Sequence, residues 1–269
     1  MSQLPADQRN QAKVLLCDAD GSLFPSEEPA FDASTVVTNR FMADFGRDVR
    51  FEPEQLRLAT TGMNFRSTIV DLARRHGIPI EPTLAESLAL PSGPAAAEDI
   101  GGRRLTAADL EEWVTEEKRV VSAHLGQVLT PDPEVRQALE ALAERYQLAI
   151  VSSSALTRLE ACVNATGLAA LFPPELRFSA EDSLPVPASK PDPAVYRHAG
   201  EYLGISAHQA IAIEDAVPGV QSARAAGFVT IGNLRFVSEG ERGERERLLT
   251  EAGATAIVRS WPEISNLLL

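Results

Sequence analysis

Two aspartates separated by a single residue follow the apolar stretch Val14-Leu-Leu-Cys17 near the start of the chain. The stretch is typical of a buried β-strand, and Gly21 lets the backbone leave the end of that strand sharply. Asp18 and Asp20 are costly at such a place unless a proton or a cation offsets their charge. The pair therefore indicates a metal site in which one carboxylate acts as nucleophile and the other as acid and base. Taken alone, these residues also fit an Asp-rich turn.

Three further polar groups stand where an apolar, strand-like run ends or where a rigid helix begins. Ser152 and Ser153 follow such a run, and hydroxyl and backbone N–H groups near a helix N-terminus suit a phosphate. Lys190 directly precedes a Pro-Asp-Pro sequence, and Glu214 and Asp215 follow a later run. Because open α/β sheets place ligands at the carboxyl ends of their strands, we expect these groups to converge. Carboxylates that meet one lysine need a cation, and their hard oxygen ligands favour Mg²⁺.

The elements that must position these residues are strands that alternate with amphipathic helices. Beyond the first strand, apolar β-rich runs occur at Gln147–Ser152, Ala210–Glu214, Val229–Gly232 and Thr255–Val258. Apolar residues at helical spacing lie between these runs. The alternation predicts the α/β class, with a Rossmann-like parallel sheet and right-handed crossovers.

The stretch from residue 26 to residue 125 interrupts that alternation. Helical patterns dominate it at Phe31–Phe45, Phe65–His76 and Thr106–Leu125, and Thr106 with Asp109 forms a capping-box pattern. We therefore predict a Rossmann-like catalytic core from residues 1–25 plus 126–269 and an α-helical cap domain from residues 26–125, inserted after the first strand. Within the cap, the Pro- and Gly-rich segment near 90–102 is predicted to be a loop.

Composition restricts the partners and the compartment of this 269-residue chain. Its net charge of −13 at pH 7 argues against nucleic acid, whose binding depends on basic residues. No apolar run approaches a membrane span, and the N-terminus lacks the features of a signal peptide. Cys17 and Cys162 are too few for a disulfide framework, so we expect a cytoplasmic protein. We expect a monomer or a small homo-oligomer.

The order of the polar motifs resembles the haloacid dehalogenase superfamily. The matching segments are Asp18-Ala-Asp-Gly-Ser-Leu23, a strand ending in Ser152, Lys190-Pro-Asp-Pro193 and Ile213-Glu-Asp215. The resemblance extends from Val14 to about Gly232 and is greatest to the phosphatases and phosphomutases with an inserted helical cap of the C1 type. It implies a Rossmann-like core and a phosphoryl-transfer enzyme that acts on a small phosphorylated metabolite.

The resemblance also implies a role for each matching residue. Asp18 would attack phosphorus and form an aspartyl-phosphate, which divides one difficult displacement into two steps. Asp20 would protonate the leaving oxygen and then deprotonate the hydrolytic water. Ser152, Ser153 and Lys190 would hold the phosphoryl oxygens and neutralise their charge.

The same resemblance implies a magnesium ion among the carboxylates. The ligands would be the Asp18 carboxylate, the backbone carbonyl of Asp20 and the Asp215 carboxylate, with Glu214 in or near the coordination shell. Ala216 follows this pair where the superfamily often has a serine, so we expect one supporting hydrogen bond to be missing.

Single residues separate the activities found within the superfamily. The dehalogenases lack the second aspartate, so Asp20 argues against dehalogenation. Phosphonoacetaldehyde hydrolases need a cap lysine, and this chain has none between Lys13 and Lys118. Phosphomutases carry a histidine and a Lys-Asn pair where this chain has Glu27–Phe31 and Ala155-Leu156. The prediction is a Mg²⁺-dependent phosphatase acting on a sugar or polyol phosphate; a β-phosphoglucomutase-like mutase and a catalytically silent binding module are the alternatives.

A segment of the predicted cap resembles the loop with which such caps contact substrate. It runs from Thr60 to Thr68, and Gly62 would allow close approach while Arg66 would bind a substrate oxygen. The alternative is an ordinary turn before a helix, with Arg66 exposed to solvent in the first helical turn.

Overall fold

The computed structural model describes residues 6–60, 64–88 and 103–269. The chain divides into two compact units, and we call them the core unit and the helical unit. The core unit contains Met1–Glu27 and Leu125–Leu269, and the helical unit contains Glu28–His124. The chain passes from the core unit to the helical unit near the start of one long helix and returns near the end of another.

Six parallel strands form the sheet of the core unit. They are β1 (Val14–Cys17), β2 (Gln147–Ser152), β3 (Arg177–Ser179), β4 (Ala210–Glu214), β5 (Val229–Asn233) and β6 (Ala256–Val258). Their spatial order is β3-β2-β1-β4-β5-β6. This arrangement confirms the predicted α/β class and its parallel, Rossmann-like sheet. The sequence pattern does not predict β3, because this short strand contains a single large apolar side chain, Phe178.

Twelve α-helices lie in the described part of the chain. They are α1 (Ala6–Gln11), α2 (Glu27–Asp44), α3 (Pro53–Ala59), α4 (Phe65–Arg75), α5 (Pro82–Ser87), α6 (Ala107–Val128), α7 (Pro133–Ala143), α8 (Leu156–Ala165), α9 (Ala194–Tyr202), α10 (Val217–Ala225), α11 (Arg242–Glu251) and α12 (Trp261–Leu268). Helices α2–α6 build the helical unit, and the others belong to the core unit. A membrane-spanning helix is not found among the described residues.

The central strands of the core unit are buried on both faces, which accounts for their continuous apolar sequences. All residues of β1 and β4 are buried. Val14 and Leu16 belong to a cluster that includes Tyr196 from α9 and Phe228 beside β5. The alternate residues of β1, Leu15 and Cys17, are equally buried. Packing on both faces of the sheet therefore fixes β1, and with it the position of Asp18 directly after the strand.

The register of the sheet brings three strand ends together. Cys17 at the end of β1 lies opposite Ile150 of β2 and Ile213 of β4. Because all three strands are parallel, Asp18, Ser152 and Glu214 emerge at the same edge. The convergence expected from the sequence is thus a consequence of β1 lying between β2 and β4.

The helical unit has an apolar cluster of its own. Phe41 and Met42 of α2 pack there with Leu56 of α3 and Ile69 of α4. Trp113 of α6 contacts the ring of Phe41 edge-on, with the ring centroids 5.7 Å apart. The three predicted helices of this region correspond to α2, α4 and α6. The predicted loop near 90–102 lies outside the described residues.

The capping box expected at the start of α6 is present. The backbone N–H of Asp109 donates to Thr106 Oγ1 over 3.1 Å, and the backbone N–H of Thr106 donates to Asp109 Oδ2 over 3.0 Å. Each side chain thereby satisfies a backbone donor that the first turn of a helix leaves unpaired.

Two leucines of α3 provide a matched test of this packing. Leu56 is 1% exposed in the cluster, whereas Leu58 is 65% exposed. We expect Leu56→Ala to lower the free energy of unfolding by about 2–5 kcal/mol, because it leaves a cavity. Leu58→Ala should change it by less than about 0.5 kcal/mol. Urea-induced unfolding followed by circular dichroism measures both, and equal effects would contradict the packing described.

Candidate active site

Asp18 is the first residue after β1 and stays in the sheet, at the carboxyl end of the parallel strands. Its backbone N–H donates to the carbonyl of Ile213 over 2.9 Å, so the hydrogen-bond ladder with β4 continues past the end of the strand. The side chain is buried. Burial raises the pKa of Asp18 above its ordinary value, although the Lys190 ammonium acts in the opposite direction.

Lys190 is the positive charge at the centre of the site, and its side chain is 7% exposed. Its Nζ donates to Asp18 Oδ1 over 2.5 Å, to Glu214 Oε1 over 2.7 Å and to the carbonyl of Val151 over 2.8 Å. Three acceptors therefore match the three hydrogens of the ammonium group. Burial alone would lower the pKa of Lys190, but the charges of the two carboxylates outweigh it and raise that pKa.

Glu214 ends β4 and is held by two donors. Besides Lys190, the hydroxyl of Tyr196 on α9 donates to the same oxygen, Glu214 Oε1. The other oxygen faces Gly219 in the first turn of α10, where a Cβ would overlap it. Burial raises the pKa of Glu214 even though Lys190 lowers it. Glu214 thus fixes the position of Lys190 and also belongs to the acidic cluster predicted to bind metal.

Three buried carboxylates form the cluster that fits a cation. Asp18, Glu214 and Asp215 each offer an oxygen atom, and these atoms lie within 4.8 Å of one another. Burial, followed by the negative charges of Asp18 and Glu214, raises the pKa of Asp215 well above its ordinary value. A hard cation would relieve this repulsion, and carboxylate oxygens are the ligands that Mg²⁺ prefers. The Asp20 carboxylate is not part of the cluster. The predicted metal contact of Asp20 is its backbone carbonyl and not its side chain.

The loop after β1 is shaped by contacts with distant parts of the core unit. Gly21 has φ of +77°, and a Cβ at this position would overlap the carboxylate of Asp215. The carbonyl of buried Ser22 accepts a hydrogen bond of 2.9 Å from Trp261 Nε1 in α12. Asn233 Nδ2 lies 3.3 Å from Ser22 Oγ. A glycine is therefore required where the loop passes the acidic cluster.

Asp20 lies in a second group of contacts. Ser154 Oγ donates to its Oδ2 over 2.6 Å, and Arg158 Nη2 donates to its Oδ1 over 2.8 Å. Ser26 Oγ also donates to Oδ1. Burial alone would raise the pKa of Asp20, but the Arg158 charge and the hydrogen bonds from both serines outweigh it and hold that pKa below its ordinary value.

Ser152 at the end of β2 and the two serines that follow it form a turn beside these residues. Ser152 Oγ accepts the backbone N–H of Ser154 over 3.0 Å, and Ser153 Oγ accepts the backbone N–H of Lys190 over 3.2 Å. Ser153 thereby ties the turn to the backbone that carries the lysine. Both predicted phosphate-binding serines lie at the sheet edge, and their role in binding phosphate stays a prediction.

The two residues predicted to contact substrate from the cap have different outcomes. Gly62 lies outside the described residues. Arg66 lies in the first turn of α4 and forms a two-pronged ion pair with Glu111 of α6, with distances of 2.6 and 2.7 Å. Both are residues of the helical unit. The predicted role of Arg66 in substrate binding stays a prediction and would require this pair to open.

Several side chains that contact the site are missed by the sequence analysis. Tyr196 sits on an apolar helix face, so its spacing indicates only core packing. Arg158 lies in the first turn of α8, and no motif among the neighbouring residues indicates a role for it. Arg245 of α11 donates to the backbone carbonyl of Asp215 over 3.2 Å. Ala216 precedes α10 and gives this helix no side-chain cap.

A family model supports the reading of these motifs. The model for haloacid dehalogenase-like hydrolases matches residues 12–227, which include every residue of the carboxylate and lysine group. The chain therefore belongs to the haloacid dehalogenase-like hydrolases. A search of curated proteins finds no match.

Solved structures of the same fold include phosphatases and mutases by name. A predicted phosphoglycolate phosphatase from Haemophilus somnus is 18% identical, with a TM-score of 0.66 and coverage of 96% of this chain and 99% of that chain. A protein provisionally named as a β-phosphoglucomutase from Thermotoga maritima is 24% identical, with a TM-score of 0.60 and coverage of 95% and 98%. A mutant of CbbY from Rhodobacter sphaeroides, in complex with xylulose 1,5-bisphosphate, is 22% identical, with a TM-score of 0.62 and coverage of 94% and 96%.

The close approach at Gly219 gives a test of the site's geometry. Gly219→Ala should lower the free energy of unfolding by about 1–3 kcal/mol, because the new Cβ would overlap the Glu214 carboxylate. Gly243 in the first turn of α11 is the matched control, since a Cβ there meets nothing within 4 Å. Gly243→Ala should be neutral or slightly stabilising. Urea-induced unfolding measures both, and a neutral Gly219→Ala would refute the contact.

Proposed function

We propose that this protein is a Mg²⁺-dependent phosphatase that hydrolyses a small phosphate monoester of the sugar or polyol type through an aspartyl-phosphate. One observation carries the proposal: a single buried ammonium group, from Lys190, joins Asp18 and Glu214 beside Asp215. A purely structural site would not need so many buried charges. The arrangement suits an anionic substrate and a cation that share the site.

In the first step, a carboxylate oxygen of Asp18 attacks phosphorus. The new oxygen–phosphorus bond forms as the bond to the leaving alcohol oxygen breaks, and Asp20 gives that oxygen a proton. In the second step, water attacks the phosphorus of the aspartyl-phosphate and Asp20 takes a proton from it. Phosphate leaves, and both aspartates return to their starting states.

The environments of the two aspartates agree with these different roles. Asp20 is held as a carboxylate by Ser26, Ser154 and Arg158, which suits a base that accepts a proton from water. To act as an acid in the first step, Asp20 must take up a proton from solvent and lose some of these donors when the ester binds; the proton that it takes from water in the second step then restores this acid for the next cycle. Asp18 lies beside Lys190, which would balance negative charge on the transferred group.

The phosphoryl oxygens would be held by Lys190 and by the serine turn. Ser152 ends β2 and Ser153 follows it, and the backbone N–H of Lys190 donates to Ser153 Oγ. These contacts place hydroxyl groups, backbone N–H groups and one ammonium group at the same sheet edge. Preorganised donors of this kind stabilise charge that develops during phosphoryl transfer.

Asp18, Asp215 and the backbone carbonyl of Asp20 would hold Mg²⁺, with Glu214 in or near the shell. When bound, the ion supplies positive charge that offsets the clustered carboxylates and the anionic ester. The other proposed properties follow from the same function: a small phosphorylated metabolite as partner, Gly62 and Arg66 as further substrate contacts, a cytoplasmic location, and a monomer or small homo-oligomer.

Replacement of the nucleophile tests the chemistry. Asp18→Asn should lower turnover of p-nitrophenyl phosphate at least about a thousandfold, because the amide cannot form the acyl-phosphate. Asp48→Asn, at an exposed position of the helical unit, is the matched control and should retain the wild-type rate. Release of p-nitrophenol gives the rate.

Three results would refute this proposal. Undiminished turnover in Asp18→Asn would exclude the aspartyl-phosphate. Conversion of β-glucose 1-phosphate to glucose 6-phosphate without phosphate release would instead identify a phosphomutase. Binding of a phosphate ester by the wild-type protein with no reaction of any kind would identify a binding module.

Removal of the cation tests the metal site. Treatment with EDTA should abolish hydrolysis, and added Mg²⁺ should restore it. Asp215→Asn should raise the Mg²⁺ concentration needed for half-maximal activity at least about tenfold. Independently of activity, Mg²⁺ should raise the melting temperature of the wild-type protein and of Asp48→Asn more than that of Asp215→Asn. An equal rise in melting temperature in the wild-type protein, Asp48→Asn and Asp215→Asn would mean that Mg²⁺ binds at a site without Asp215.

A further inference from the structure

Arg158 is a charged residue that the proposed reaction does not use as a substrate contact. It lies in the first turn of α8, the helix that follows the serine turn, and its side chain is 25% exposed. Its Nη2 donates to Asp20 Oδ1 over 2.8 Å. The guanidinium group is therefore at the sheet edge where the ester reacts, within the core unit.

Orientation of Asp20 does not depend on Arg158 alone. Ser154 Oγ donates to Oδ2 of the carboxylate, and Ser26 Oγ donates to Oδ1. Both oxygens thus keep a donor if the guanidinium turns toward another anion. A full positive charge is more than is needed to orient a carboxylate that two hydroxyl groups already hold.

Arg158 lies on the side of the site where the leaving alcohol would be bound. A general acid must lie within about 3 Å of the oxygen that it protonates. Because Arg158 Nη2 is 2.8 Å from the Asp20 carboxylate, the guanidinium lies within reach of groups attached close to the leaving oxygen. Lys190, in contrast, donates to Asp18, Glu214 and the carbonyl of Val151, on the side of the nucleophile.

The chemistry of the guanidinium group favours one kind of neighbour. Its planar fork of N–H donors matches the paired oxygens of a carboxylate or a phosphate, and it stays charged at all working pH values. A neutral hydroxyl group would gain less from this cation. The Arg158 guanidinium is thus suited to a leaving alcohol that carries a carboxylate or a phosphate.

We propose that Arg158 determines specificity by binding a second anionic group, a carboxylate or a phosphate, on the alcohol part of the ester. The inference rests on the proposed phosphatase function. Within that function, the preferred substrates are then sugar or polyol phosphates that also carry a carboxylate or a second phosphate, and esters with no second anionic group are poorer.

Three small esters with the same two-carbon alcohol frame test the proposal. Hydroxyethyl phosphate has a neutral end, phosphoglycolate has a carboxylate, and ethylene glycol bisphosphate has a second phosphate. The quantity measured is kcat/KM from phosphate release, with the bisphosphate corrected for its two equivalent groups. For the wild-type protein we expect at least one anionic ester to exceed the neutral ester about tenfold to hundredfold.

The variants Arg158→Gln and Arg158→Lys then locate the source of that preference. Arg158→Gln should reduce the ratio to about one, and Arg158→Lys should retain part of it, because the charge remains without the planar fork. Arg136→Gln is the matched control, since Arg136 pairs with Glu140 on the exposed face of α7, and it should keep the wild-type ratio. The carboxylate and phosphate arms show which anion is bound.

Binding measurements keep the test decisive if Arg158→Gln is inactive toward every ester. In the Asp18→Asn background, calorimetry should show tighter binding of the preferred anionic ester than of hydroxyethyl phosphate. The double variant Asp18→Asn with Arg158→Gln should lose that difference.

A wild-type ratio near one, or the same ratio in Arg158→Gln, would overturn the assignment of Arg158 while leaving the phosphatase intact. If the wild-type protein hydrolyses neither these esters nor p-nitrophenyl phosphate, the proposed function itself fails, and the inference about Arg158 fails with it.

Discussion

The contact on which the site depends is the bridge from the Lys190 ammonium group to Asp18 and Glu214. Burying carboxylates is unfavourable unless an opposite charge and hydrogen bonds compensate them. Lys190 provides both, and the carbonyl of Val151 takes its remaining hydrogen. The bridge joins residues 172 and 24 positions apart in sequence, so it requires the correct order of β1, β2 and β4. Removing one partner would leave the others buried with uncompensated charge.

Two aspartates close in sequence occupy opposite electrostatic environments. Burial raises the pKa of Asp18, whereas Arg158 and the hydroxyls of Ser26 and Ser154 hold the pKa of Asp20 below its ordinary value. Environments that push the pKa values of neighbouring acids apart are what assign different roles to chemically identical groups. Here the separation comes from the strand and the loop: Asp18 stays in the hydrogen-bond ladder, and Asp20 turns toward the serine turn and α8.

The sequence predicts those parts of the site whose residues lie directly next to a recognisable strand or helix start. Asp18, Lys190, Glu214 and Asp215 each follow a buried strand or precede a rigid helix start, so their meeting point follows from the parallel sheet. Contacts that depend on how helices pack cannot be read in this way. Tyr196 looks like an ordinary core residue of α9, and its hydroxyl acquires a polar partner only because α9 packs beside the end of β4.

The position of β1 in the middle of the sheet has a consequence for how the protein is made. The strand leaves the ribosome well before its neighbour β4, which contains residues Ala210–Glu214. Until that segment has been synthesised, one side of β1 has no strand to pair with, and an unpaired apolar strand edge invites pairing with other chains. Asp18, directly after β1, can therefore be set in place only after β4 has emerged as well.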